Sequence, residues 1–191
     1  MARSANLTAD KVMDLAQDMI MERGWHAISF RDIADALGIK SASVHYYFKT
    51  KSDLGVAVVR RYAEARQHTL DDITSSGKSP DQKLKLFAGA FRDRLVGDRN
   101  CLSGVLGAER RGLPDEVARE VQAFFAGNLA WLEQVFREGK RDGVLTFPGT
   151  VTAQAEAYMA LMEGTLILLS GGAAPRQFDR LLSATLASLT K

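Results

Sequence analysis

The feature that most constrains this chain is a helical rhythm of apolar residues that runs from end to end. In its first block Val12, Leu15, Ala16, Met19 and Ile20 recur at spacings of three and four, which places them on one face of a helix. Breaks in the rhythm coincide with glycine, proline and serine, most clearly in the SSGKSP run of residues 75–80. No segment alternates apolar and polar residues over the length of a strand. The pattern therefore predicts an all-α chain, without internal repeats or low-complexity tracts.

The blocks read as nine helices. Thr8 is a candidate N-cap for the first, and Gly24 ends it. Ser29, with Asp32 three residues on, opens a second, whose inner face is Phe30, Ile33, Ala34 and Leu37 and whose stop is Gly38. A short third spans about residues 41–47. Thr50 and Asp53 repeat the capping pattern and open a fourth, to about residue 73. The fifth reaches about residue 95, and residues 97–100 turn the chain. The sixth covers residues 101–109 and closes at Gly112-Leu113-Pro114, with Pro114 expected in the first turn of the seventh. That helix lines up Val117, Val121, Phe124, Phe125, Leu132, Val135 and Phe136, and Gly143 ends it. The eighth, about residues 150–170, is apolar on most sides in its second half, so it must be buried, in part against a partner subunit. Residues 171–175 break it before a ninth helix carrying Phe178, Leu181, Leu182, Leu186 and Leu189.

Charge is informative only locally. The 191 residues carry a formal net charge of +2, so nucleic-acid binding would have to come from clustering. Residues 37–52 supply it: Lys40, Lys49 and Lys51 stand there with no acidic residue. The single cysteine, Cys101, excludes an internal disulfide framework and a thiolate zinc site, and fits a reducing cytoplasm. No apolar leader opens the chain, and the longest apolar run, about residues 157–169, is too short for a membrane span.

Three short helices in about 45 residues, the last two joined by a tight glycine turn, form a helix-turn-helix unit. The third helix of such a unit lies in the major groove, and its first residues must be small or polar to reach base edges. Lys40, Ser41, Ala42 and Ser43 fit, and His45 lies one turn further on the same side. Tyr46, Tyr47 and Lys51 offer donors to phosphates. Val44 and Phe48 should face inward. Trp25, in the linker after the first helix, reads as a packing residue, and the arginines and His68 of the fourth helix as a solvated face.

The run Phe30-Arg31-Asp32-Ile33-Ala34-Asp35-Ala36-Leu37-Gly38-Ile39, followed by Ser43-Val44-His45-Tyr46-Tyr47-Phe48-Lys49-Thr50-Lys51-Ser52-Asp53-Leu54, resembles the DNA-binding signature of TetR-type (TetR/AcrR) regulators. The resemblance covers residues 8–55 closely and the remainder in helix count and length. It implies a nine-helix, two-domain chain: a DNA-binding domain at residues 1–50 and an effector-binding and dimerisation body at residues 51–191. It implies a homodimer formed through the last two helices, a double-stranded DNA operator, a small-molecule effector, and no membrane. Family contacts map onto Ser29, Ala42, His45, Tyr46, Tyr47 and Lys51. Two positions depart from the family habit: glycine is common where Ala42 stands, and an aromatic residue is common at His45.

The same resemblance places an effector pocket among helices five to eight. Candidate walls are Phe91, Cys101, Phe124, Phe125, Asn128, Trp131, Tyr158 and Met162, with Phe87, Leu106, Leu129 and Met159 nearby and Arg92, Asn128 and Glu163 as polar groups. Residues at such spacing also make an ordinary core. The segment from Cys101 to Glu109 resembles one in TetR-type members that respond to electrophiles or small unsaturated acids. Cys101 is either a sensor thiol near Arg99 or a buried, inert one.

Other function classes find less support. The sequence lacks a phosphate-binding glycine loop, a nucleophile elbow, an H-E-x-x-H helix and paired metal ligands, so neither catalysis nor a cofactor nor a metal is expected. A merely architectural DNA binder would not need an apolar helical body of about 130 residues.

Overall fold

Nine α-helices and one short 3₁₀ turn make up the described part of the chain, and no strand occurs there. The structure is a computed structural model, and it describes residues 2–97, 99–169 and 175–190. Asp98, in the expected turn after the fifth helix, and Ser170 to Ala174, in the expected break after the eighth, lie outside the described residues.

Helix α1 (Ala2–Arg23) buries Val12, Ala16, Met19 and Ile20, the stripe legible in the sequence. It starts well before Thr8, because residues 2–8 contain neither glycine nor proline to stop it. Helices α2 (Phe30–Leu37) and α3 (Ser41–Tyr47) follow, and then α4 (Lys51–Ser75). The start of α4 is a complete capping box: Thr50 N–H donates to Asp53 Oδ2 at 2.9 Å, and Asp53 N–H to Thr50 Oγ1 at 3.1 Å. The next helices are α5 (Pro80–Val96), α6 (Leu102–Ala108), a 3₁₀ turn (Arg110–Gly112) and α7 (Asp115–Arg141). Pro114 stands just outside α7 rather than in its first turn; its carbonyl accepts the Ala118 N–H at 3.0 Å. Last come α8 (Val151–Leu169) and α9 (Pro175–Leu189).

The chain divides into two compact units, and the division is not a cut at residue 50. One unit comprises the residues up to Glu64 together with Leu102–Phe124. The other comprises Ala65–Cys101 and Phe125–Lys191. The boundary falls inside α4 because its first half carries Leu54, Val58, Val59 and Tyr62 into the first core, and α6 packs against α1 there. Burying each such aliphatic side chain contributes roughly 1.5–3 kcal/mol.

The core of the second unit is aromatic. Phe87 stacks on Trp131 with ring centroids 5.5 Å apart, and Phe136 meets Tyr158 edge-on at 5.8 Å. The Tyr158 hydroxyl donates to the Leu84 carbonyl at 2.9 Å, so this buried polar tip is satisfied. Helix α8 buries Tyr158, Met159, Met162 and Leu166 but leaves Ile167 and Leu168 69% and 73% exposed.

Candidate DNA-binding and effector sites

In the first unit the turn between α2 and α3 depends on Gly38. Its φ of 65° is the left-handed conformation that a glycine adopts without cost, and its N–H returns to the carbonyls of Ala34 and Asp35. The chain thus reverses within three residues and starts α3. Only Val44 of α3 is buried, with Phe48 just beyond it, so one face anchors the helix and the other stays open. Lys40, Ser41, Ala42, His45 and Tyr46 are exposed, and Ser43 and Tyr47 half-buried. These are the side chains expected to face DNA, and the structure gathers them on one helix. The His45 ring stands edge-on to Phe30 at 4.7 Å, and Tyr46 edge-on to Tyr47 at 5.0 Å.

Two of the expected DNA contacts already have local work. Ser29 caps α2: its hydroxyl accepts the Asp32 N–H at 3.3 Å and donates to Asp32 Oδ2 at 2.6 Å. That hydrogen bond holds the Asp32 carboxyl below the usual aspartate range. Lys51 is half-buried, and its ammonium donates to the Trp25 carbonyl at 2.6 Å. Burial pushes that ammonium's pKa down, while Glu109 and Asp32 oppose the shift. Trp25 is buried, as its packing role requires.

In the second unit, most of the expected pocket residues share one interior. Phe91, Cys101, Asn128, Trp131, Tyr158 and Met162 are buried there, and Phe125 is partly exposed. Phe124 is not among them. It belongs to the first unit and packs against Tyr62 with centroids 5.3 Å apart.

The sequence reading missed the residue that gives this interior its chemistry. Arg66 of α4 is no part of a solvated face; it is only 8% exposed. Its Nε donates to Asn128 Oδ1 at 2.9 Å, and its guanidinium lies 4.1 Å from the Phe87 ring centroid and 5.6 Å from that of Phe91. The signal was present: Leu54, Val58, Tyr62, Arg66 and Leu70 recur every four residues, so Arg66 sits within a buried stripe. Glu163 is a second ionisable group there, half-buried. Burial pushes its carboxyl pKa up, and a hydrogen bond from Cys101 opposes the shift. Its Oε1 is buried without a hydrogen-bond partner. Cys101 is a buried thiol, in no disulfide, immediately ahead of α6.

Arg92, expected to orient a ligand, instead holds Asp179 in a two-point ion pair at 2.7 and 3.1 Å. The pair borders an open groove of about 720 Å³ lined by Ile73, Lys85, Leu86, Gly89 and Leu182 among others. Among the described residues no cluster of three metal-ligating side chains occurs, and no helix is long and apolar enough to cross a membrane.

An exposed reading helix on a glycine-turned corner, and a helical unit enclosing a buried arginine, a carboxyl and a thiol, define a DNA-binding regulator. The family model of bacterial regulatory proteins of the tetR family matches residues 12–58. The transcriptional regulator AcuR of Cereibacter sphaeroides is 26% identical over 170 residues, covering 87% of this chain and 78% of that protein. The transcriptional repressor NemR of Escherichia coli K12 is 23% identical over 171 residues, covering 82% and 81%. Among solved structures, a TetR-family regulator from Agrobacterium tumefaciens superposes with a TM-score of 0.94 at 26% identity, covering 98% of this chain and all of that one. The match over residues 12–58 and the likeness over most of the chain support a TetR-type transcriptional regulator, a class of proteins that are not enzymes. Regulators of this family bind DNA operators and small-molecule ligands and act as dimers.

Proposed function

We propose that this protein is a cytoplasmic, homodimeric repressor that leaves its operator when a small molecule occupies the interior of the second unit. The observation that carries the DNA half is the exposed, small and polar start of α3 on its buried Val44 anchor. Lys40, Ser41, Ala42, Ser43 and His45 face base edges, and Ser29, Tyr46, Tyr47 and Lys51 hold phosphates. Dimerisation through α8 and α9 would cover Ile167, Leu168 and Leu181, which are apolar and exposed in the single chain.

The effector pocket is the interior around Arg66, Cys101, Asn128, Trp131, Tyr158 and Glu163, where polar groups converge among aromatic walls. A small unsaturated acid or another electrophile fits a thiol and a cation enclosed together. Helix α4 is the lever, because it contributes residues to both units. To empty a full operator, the effector must favour the released state by roughly 5 kcal/mol.

The test begins with selection of duplexes from a randomised pool. It continues with fluorescence anisotropy of the winner against an unrelated duplex at fixed salt. Saturable, selective binding at two protomers or a multiple per site supports the reading; equal binding to both duplexes overturns it. Thiol-reactive compounds and small unsaturated acids are then added to the complex. A Cys101→Ser protein that is still released normally by every electrophile would sink the sensor role of that thiol.

A further inference from the structure

We propose that Glu109 is a positioning residue for DNA recognition: its carboxylate anchors the Trp25 turn between α1 and α2 and, through that turn, the Lys51 ammonium at the head of α4. The inference rests on the DNA-binding reading above. Both backbone polar groups of Trp25 are held by distant side chains. The Trp25 N–H donates to Glu109 Oε2 at 2.7 Å, across 84 positions of sequence. The Trp25 carbonyl accepts from Lys51 Nζ at 2.6 Å, and that ammonium lies 4.5 Å from the indole centroid. Glu109 and Lys51 carry opposite charges and attract one another across the turn.

The surroundings leave the turn little freedom. Gly24 has φ 85°, and a Cβ there would overlap the Glu109 carboxylate. A Cβ on Gly55 would come within 2.7 Å of the buried Trp25 ring. Outside a helix, Trp25 has no ladder to satisfy its N–H, so the carboxylate takes that place. An ammonium has three donors; one is spent on Trp25 and two stay available for a phosphate. Glu109 thus fixes the point from which α2 and α3 depart and the height at which Lys51 meets the backbone of DNA. It directly follows α6, and α6 directly follows Cys101. A shift of α6 therefore moves the anchor itself.

The experiment measures affinity for the selected duplex at several salt concentrations, together with exchange of the Trp25 amide hydrogen. Glu109→Ala should bind roughly tenfold more weakly, the scale of one lost charge-assisted hydrogen bond. Its salt dependence should fall by no more than about one phosphate contact, the one that Lys51 supplies. Glu109→Gln, whose amide oxygen still accepts, should recover most of the affinity. Trp25 exchange should quicken in the alanine variant alone. The double variant Glu109→Ala/Lys51→Met should lose less than the product of the two single losses, because both act through one turn. Wild-type affinity in Glu109→Ala, losses that multiply, or a glutamine variant as weak as the alanine one would overturn the proposal. If Glu109→Ala does not fold, Glu109→Gln with protected Trp25 exchange and near-native affinity still supports it, and Glu109→Gln with unprotected exchange defeats it. A wild-type protein that selects no duplex defeats the DNA-binding reading first.

Discussion

Arg66 and Asn128 meet inside the second unit, where Arg66 Nε donates to Asn128 Oδ1 at 2.9 Å with 8% and 2% of their surfaces exposed. A buried guanidinium survives only when its donors find acceptors or aromatic faces. Asn128→Ala removes an acceptor and leaves the charge behind, so it should cost about 1–3 kcal/mol of stability. Arg66→Met removes the charge along with the need for a partner, and should cost less. Urea unfolding of both variants ranks them; the opposite ranking would mean that the pair contributes net stability rather than a ligand contact.

Glu163 makes the interior sensitive to pH. Burial raises its pKa above the ordinary glutamate value of 4.5. A raised acid pKa stabilises the fold fully below the unfolded value, and that contribution is lost as pH climbs through the folded one. Glu163→Gln stays neutral throughout. It should therefore equal or exceed the wild type in Tm near neutral pH, and the gap should narrow as pH falls toward the ordinary glutamate range. Thermal melts of both proteins across acid to neutral pH decide it, and a gap that widens on acidification refutes the assignment.

Tyr47→Phe and Lys51→Ala should weaken binding to every duplex alike, because phosphates carry no sequence. Changes at Ala42 or His45 should instead alter which bases are preferred, by about 1–3 kcal/mol per lost base contact. Competition among single-base variants of the selected duplex separates the two classes. Identical behaviour by all four variants would remove the distinction.

Leu168→Asp places a charge on the exposed apolar edge of α8. If that edge pairs with a second copy, the variant sediments as a monomer and no longer protects two half-sites together. A variant that remains dimeric would move the interface elsewhere.

Much of this protein was legible in its sequence, for a local reason. A helix is set by contacts three and four residues apart, so apolar spacing, the Thr50–Asp53 cap and the Gly38 turn need no knowledge of the rest of the chain. The start of α3 was readable because a helix with one anchored face must show the other to its partner. Boundaries set by weak signals were less so: Thr8 competes with helix-permitting neighbours, and α1 runs through it.

Tertiary structure alone decided which polar residues went inside. The spacing of Leu54, Val58, Tyr62, Arg66 and Leu70 sets Arg66 apart from Arg60 and Arg61, but only the folded chain brings Asn128 and two phenylalanine rings to it, while Arg60 and Arg61 lie near acids of the first unit. Nothing local joins Glu109 to Trp25, and nothing assigns Phe124 and Phe125 to different units. Sequence determined the helices, their apolar faces and the reading corner, because those depend on near neighbours. The buried cation, the carboxylate anchor and the lines between units depend on which distant side chains share a desolvated space, and only the folded chain settles that.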